Sequence, residues 1–435
     1  VEPGLALFYL THAINNYAST NLLLQKVCFS GSTAPNYDTP CPDETEAEKV
    51  LADIGSWTPF IEYSLPVVCI VFLGRWSDTH GKRRKPLVMM PVCGELVASL
   101  CLALSAYLFT TPVWLTALVF TVVRGVSGSM VMMALGAGIY VSDVTTPEDR
   151  SWRLGAVIGL TLMATPLGIA VAGILCQVFG FLYLFLMCAV LNVLAIIFNI
   201  VFMTNTTEEK TELKTFQGMF DLSAFTQSLG ICLKERSGHH RAVLWLSGLV
   251  SPLFLSTLYG EGGVLYLFVR KQFGMGVIEF GLYAAYTLLT ISFGTVISVI
   301  VCSKVFKLRD EVIGYLGSMT QVIASLAMCF VATKWQLYLF PLLDLMYGAT
   351  FTASRSITTK IVGGNELGQV CSFFGILDTL VPLFIVPLYS KCYSLTVYIF
   401  PGTFFIINVF IVAIICCLFV AMDILSRRAV NKDVQ

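Results

Sequence analysis

Gly74-Arg75-Trp76-Ser77-Asp78-Thr79-His80-Gly81-Lys82-Arg83-Arg84-Lys85 joins two long apolar runs, yet seven of its twelve residues are Asp, His, Lys or Arg. Charge this dense cannot lie in hydrocarbon, so the stretch is read as a loop at a membrane surface. Its five Lys and Arg residues say which surface, because cytoplasmic loops carry the basic excess. The turn thereby orients every segment on either side of it.

Working outward, a spanning helix needs ~20 mostly apolar residues. By that rule the first half holds runs at 4–24, 52–73, 86–109, 113–141, 154–178 and 181–203. The second half holds runs at 242–269, 280–303, 311–332, 336–353, 369–389 and 396–423. Between the halves, 204–241 is polar and reads as a cytoplasmic linker, with Glu208, Glu209, Lys210, Lys234 and Glu235 in it. The expected organisation is a six-helix half over 1–203, the linker, and a second six-helix half with a short tail over 242–435. Thr146-Pro147-Glu148-Asp149 predicts a helix start near Pro147, with an N-cap, a proline in the first turn and acids after it. The turn Cys302–Asp310 is basic, like the opening one, and Arg427-Arg428 in the tail are basic too. Both termini are expected in the cytoplasm.

Composition agrees with lipid as the main solvent. The chain is 56% hydrophobic and 12% charged, where soluble domains carry about 25% charge. With 27 basic and 27 acidic residues there is no electrostatic case for nucleic acid. No signal-peptide pattern precedes the first apolar run, and the abrupt start at Val1-Glu2-Pro3 leads us to expect a short leader ahead of it. Most of the 14 cysteines lie inside apolar runs and read as small hydrophobes. Cys28 and Cys41 instead flank a polar loop on the outer side, where an oxidising compartment would let them pair.

The opening turn resembles the signature between helices 2 and 3 of the major facilitator superfamily, through Gly74, Asp78, Gly81 and Lys82-Arg83-Arg84. Arg124-Gly125-Val126-Ser127-Gly128 resembles that superfamily's Arg-containing motif in helix 4, and Asp143 through Arg150 resembles the exit from that helix. Narrower patterns resemble solute carrier family 46, which includes the proton-coupled folate transporter: Val1-Glu2-Pro3, Ser19-Thr20-Asn21, Trp57-Thr58, Trp76-Ser77-Asp78, and Arg355, Lys360, Val362, Glu366 and Gly368. The resemblance implies an all-α integral membrane protein with twelve transmembrane helices in two halves, working by alternating access. It also implies that Gly74, Asp78, Gly81, Arg83, Arg84, Asp143 and Arg150 gate the cytoplasmic side. The chain departs from the folate transporter where that protein couples protons. The place of its helix 5 Glu falls near Ile158, that of its helix 4 Asp near Ser129, and that of its helix 7 His near Leu258 or Tyr259. The fold transfers better than the folate chemistry.

A charge at mid-bilayer costs about 2.5–3.5 kcal/mol on insertion scales, so each one is a functional candidate. Glu261, in Tyr259-Gly260-Glu261-Gly262-Gly263, reads as a carboxylate that takes up and releases a proton, in a helix that three glycines allow to bend or unwind. The alternative is a rim residue facing water. Glu62 is read as a proton or cation site or as a fixed partner of Arg124, and Glu95 as structural, in a peripheral helix. Arg355 and Arg124 are candidates for an anionic substrate, because a guanidinium fork matches carboxylate or phosphate; Arg124 has a framework reading as well. Asp378 and Asp344 are expected to pair with Arg355. Asn15, Asn16, Ser19, Thr20 and Asn21 make a polar stripe read as a cavity wall, with His12 beside it read mainly as packing. Tyr283–Tyr286 and Phe373–Phe374 read as packing rather than stacking surfaces for a flat ring. No metal-ligand cluster, phosphate-cradling glycine loop or nucleophile triad occurs, so neither an enzyme nor a bound cofactor is expected.

The expectation is a monomeric transporter of a small, anionic organic solute, coupled to protons, in the plasma or endolysosomal membrane. A proton-independent facilitator or exchanger, and a transporter-fold receptor or scaffold, stand as alternatives.

Overall fold

The computed structural model describes residues 2–29, 41, 44–79, 84–144, 147–203, 230, 233–234, 240–362 and 364–433. Among them lie α1 (Glu2–Cys28), α2 (Glu44–Gly55), α3 (Thr58–Thr79), α4 (Lys85–Tyr107), α5 (Val113–Ser127), α6 (Ser129–Val144) and α7 (Pro147–Phe202). Then follow α8 (His240–Phe273), α9 (Val277–Ile300), a π-turn (Val301–Val305), α10 (Asp310–Cys329), α11 (Lys334–Leu343), α12 (Tyr347–Ile361), α13 (Gly364–Thr396) and α14 (Thr403–Asp433). Every regular element among the described residues is helical, and eight stretches are long and apolar enough to cross a membrane. In bilayer hydrocarbon each backbone N–H and C=O must find its partner within the chain, which a helix provides internally.

Helix α7 begins at Pro147, as the capping pattern predicts. Its 56 residues would span about 84 Å if straight, against about 30 Å of hydrocarbon. Gly180 divides it, with φ 71° and ψ 171°, a region that a side chain all but forbids. The fourth apolar run is broken too. Gly128 (φ 87°) ends α5 in the left-handed conformation, and Ser129 (φ 47°) opens α6 beside it. The tenth run breaks differently, with Asp344, Leu345 and Met346 separating α11 from α12 and no positive φ among them. Thr333 starts α11 with a reciprocal cap, its side chain receiving the Gln336 N–H while Gln336 Oε1 accepts the Thr333 N–H at 3.1 Å.

The chain forms two compact units. The first comprises Val1–Asp221 with Gly274–Ala285; the second comprises Leu222–Phe273 with Tyr286–Gln435. The first packs around Leu5, Phe8, Val88, Val92, Met133 and Ala137. The second packs around Val243, Val250, Phe254, Ile357, Ile415 and Phe419. Large apolar side chains remain exposed along α7 (Val178, Tyr183, Val190) and α9 (Phe293, Val296, Ile297), as expected of surfaces whose solvent is acyl chain. In the first unit Cys28 and Cys41 form a disulfide, their Cα atoms 5.3 Å apart.

The glycines around Glu261 do not unwind their helix; α8 is continuous from His240 to Phe273. What they provide is proximity. A Cβ on Gly260 would stand 2.6 Å from the Tyr389 ring and one on Gly263 would stand 3.0 Å from Val386 Cγ1, so the missing side chains let α13 lie against α8. The stripe on α1 also resolves into separate faces. Asn15 and Asn21 are buried and Asn16 is exposed, while Ser19 and Thr20 turn back to the Asn16 carbonyl at 3.0 and 3.1 Å. Phe373 and Phe374 are buried edge-to-face with each other and with Trp245, which is packing.

Candidate functional site

Each unit holds its own polar cluster. In the first, Glu95 on α4 is the hub. It is 1% exposed, so α4 is not peripheral at this point. Glu95 Oε1 accepts from Arg124 Nη2 and from Asn15 Nδ2, each at 2.8 Å. Oε2 lies 3.0 Å from His12 Nδ1. Asn15 also donates to Ser99 Oγ at 2.8 Å, Asn192 Nδ2 lies 3.4 Å from that hydroxyl, and Thr11 donates to Asn192 Oδ1 at 3.0 Å. His12 is thus a member of the network, not a packing residue alone.

Arg124 takes Glu95 as its close partner, not the expected Glu62, whose Oε1 stands 3.9 Å from Nη1. The choice follows from position. Arg124 sits in the last turn of α5 just before the Gly128 break, fully buried and over the Phe120 ring at 5.5 Å. Its Nε and Nη1 have no hydrogen-bond partner. The cluster sets two carboxylates, Glu62 and Glu95, against one guanidinium. Two buried guanidinium donors left open there are suited to a further oxygen acceptor.

In the second unit, Arg355 on α12 donates from Nη2 to Asp378 Oδ2 on α13 at 2.6 Å. Ser251 Oγ on α8 donates to the same oxygen at 2.8 Å, and Arg355 stands over the Phe351 ring at 5.1 Å. Asp378 Oδ1 is buried without a partner. Asp344 does not join this pair; it is 1% exposed at the end of α11, and its Oδ1 has no partner.

Glu261 is partly buried and faces no basic side chain at ion-pair distance among the described residues. It accepts from Asn408 Nδ2 on α14 at 2.9 Å, and the Tyr389 hydroxyl on α13 donates to Asn408 Oδ1. One amide therefore relays a phenol to a carboxylate across three helices. Asn408 is a residue that sequence reasoning missed. Its signal was available: a single Asn in the strongly apolar run 403–420.

Of the expected gating residues, Gly81 and Arg83 lie outside the described residues. Gly74 and Asp78 fall on α3, Asp143 on α6 and Arg150 on α7, with the side chains of these segments outside the described set. Arg84 is buried at the start of α4. The second basic turn leads into a clasp within its own unit. Lys360 Nζ meets Asp310 Oδ2 at 2.6 Å, Arg309 meets Asp423, and Ser426 donates to Glu311 Oε1 at 2.9 Å. Among the described residues no three His, Cys, Asp or Glu are grouped to hold a metal ion.

Comparison with known proteins places this geometry. The family model described as Major Facilitator Superfamily matches residues 52–387. The probable peptidoglycan muropeptide transporter SLC46 of Drosophila melanogaster is 23% identical over 448 residues, covering 95% of this chain and 83% of that protein. The lysosomal proton-coupled steroid conjugate and bile acid symporter SLC46A3 of Gallus gallus is 23% identical, over 79% of this chain and 74% of that one. These relatives support the resemblance to solute carrier family 46. A crystal structure of a POT family transporter in complex with a thioalcohol-conjugated peptide superposes with a TM-score of 0.66 at 14% identity, covering 98% and 96% of the two chains.

Proposed function

The chain belongs to the Major Facilitator Superfamily, and from that membership we propose that it is a secondary transporter of an anionic organic solute, driven by protons. In this reading the eight apolar stretches are part of twelve transmembrane helices in two six-helix halves, 1–203 and 242–435, joined by a cytoplasmic linker at 204–241. The protein works as a monomer, with both termini cytoplasmic, in the plasma or endolysosomal membrane. Gly74, Asp78, Gly81, Arg83, Arg84, Asp143 and Arg150 form its cytoplasmic gate. Arg124 and Arg355 meet the anion, with Glu62, Asn15, Asn16, Asn21 and Asp378 around them. Relatives named for muropeptides and for steroid conjugates and bile acids support a bulky organic substrate.

The observation that carries proton coupling is Glu261, a carboxylate in a membrane helix whose hydrogen-bond partner is a neutral amide and which no described cation compensates. An uncompensated carboxylate in low dielectric favours its protonated form, so proton entry and exit there are linked to which side the site faces. The sign follows: uptake rises as the entry side becomes more acidic. Uptake of a bile acid and of a muropeptide into vesicles is expected to be faster at pH about 5.5 than at about 7.4, and Glu261→Gln, fixed in the neutral form, is expected to lose that difference. Uptake indifferent to pH, or a variant that behaves as wild type, would sink proton coupling through this residue.

Movement without protons is the competing reading. It is favoured by the run 154–178, which contains no carboxylate, and by Arg355 being already neutralised by Asp378. Counterflow that survives collapse of the pH gradient would establish it.

A further inference from the structure

The tenth apolar run breaks at a carboxylate. Asp344 follows the last turn of α11, where a half-helix presents carbonyl oxygens with no helical partner and the negative end of its dipole. Its side chain is 1% exposed, and Oδ1 has no hydrogen-bond partner. It belongs to no ion pair among the described residues. Each neighbouring element adds oxygen and no base. From α10, Gln321 is 3% exposed, spends Nε2 on Thr257 Oγ1 at 3.0 Å, and leaves Oε1 without a partner.

The packing places Gln321 beside the break. Gly317 sits against Met346 O and Thr350, with a Cβ there reaching them at 3.0 and 2.9 Å. α10 and α12 are joined through α11 with opposite directions, so one turn further along α10, at Gln321, is one turn back along the partner, at about 342–346. Thr257, which Gln321 touches, is one turn before Glu261 on α8. From α12 the titratable neighbour is Tyr347, whose N–H donates to the Asp344 carbonyl; from α13 it is Tyr389, whose ring lies against Gly260 beside Glu261. α9 lays Gly294 against Leu345 and Thr295 against Gly348, and contributes no charge there.

A buried carboxylate oxygen and a buried amide oxygen, both unpartnered, sit on helices packed against each other and lack a positive charge. Broken membrane helices use this arrangement to hold coupling cations. We propose that Asp344, with Gln321 and Glu261, forms the seat of a small monovalent cation, H⁺ or Na⁺, at the break of the tenth apolar run. It rests on the cation-coupled transport proposed above and names a second residue for it, one that lies deeper than Glu261 by exposure.

The full chain, purified and reconstituted in liposomes, is treated with dicyclohexylcarbodiimide, which attacks protonated carboxyls in apolar surroundings, and the label is mapped by peptide mass spectrometry. Asp344 labelling that falls about tenfold per pH unit beyond its midpoint, unaffected by sodium chloride, identifies H⁺. Labelling suppressed by sodium chloride and not by choline chloride identifies Na⁺. Labelling of Asp344 indifferent to both, or labelling confined to Glu261, overturns the cation seat while leaving the proposed role of Glu261 standing. Asp344→Asn serves as the second readout: its melting temperature is expected to lose the dependence on pH or Na⁺ that wild type shows. A dependence kept in full by a folded Asp344→Asn would also overturn the seat.

Discussion

The polar interiors of the two units are built on opposite principles. In the first, Glu95 is gripped by Arg124, Asn15 and His12, and Arg124 also has the Glu62 carboxylate 3.9 Å away. Among the described residues of the second, Arg355 pairs with Asp378, and neither Glu261 nor Asp344 has a cation at ion-pair distance. Matched buried charges resist titration, because removing either one strands the other. Unmatched ones exchange a proton or an ion readily. We read the first unit's cluster as the one that holds its charges fixed and the second unit's interior as the one open to switching.

The sharpest way to break that comparison is to unmatch the first cluster. Glu95→Gln strands Arg124 with Glu62 at 3.9 Å as its remaining carboxylate, and the expected loss is about 3–5 kcal/mol, as for other broken buried pairs. Pairing it with Arg124→Leu should restore much of the melting temperature of the detergent-purified protein. Glu261→Gln, by contrast, removes a carboxyl that no described cation compensates and is expected to melt no lower than wild type. If both single variants lose stability equally, the two interiors are not different in kind.

A smaller effect tests the helix breaks. In the first unit the break depends on Gly128 at φ 87°, so Gly128→Ala is expected to cost about 1–3 kcal/mol. The break at Asp344 uses no left-handed residue, and Asp344→Asn should leave thermal stability intact at neutral pH. A tolerant Gly128→Ala would mean that α5 and α6 can rejoin as one helix.

The smallest expected change sharpens the second cluster. Tyr389→Phe removes the hydroxyl that orients Asn408, at a cost of about 0.5–1.5 kcal/mol. Because Asn408 in turn holds Glu261, the pH at which uptake is half-maximal should move even though the fold is nearly unchanged. An unmoved pH profile would remove Tyr389 from the relay.

Much of this was legible along the chain. Pro147 starts a helix by its capping pattern, and Cys28 and Cys41 stand out as the cysteines bordering a polar loop; the charged stretch Gly74–Lys85, read as a loop, instead has Gly74–Thr79 on α3 and Lys85 on α4, with 80–83 outside the described residues. Glu62, Glu95, Glu261, Asp344 and Arg124 declare themselves by being ionisable within apolar runs. Partner choice was not legible. Arg124 is 29 residues from Glu95, and Asn408 is 147 from Glu261; neither distance leaves a periodic trace. The glycines flanking Glu261 misled for a related reason, since glycine permits unwinding and close approach alike, and only the Tyr389 ring against Gly260 decides between them.

The amino-acid sequence by itself determined that this chain is helical, lives in lipid, and keeps a small set of ionisable groups inside it. Those are consequences of hydropathy, charge and cap chemistry, which are local. Tertiary structure decided which of those groups are matched and which are left open. That depends on which helix faces meet and where two of the runs break, and no single segment carries that information.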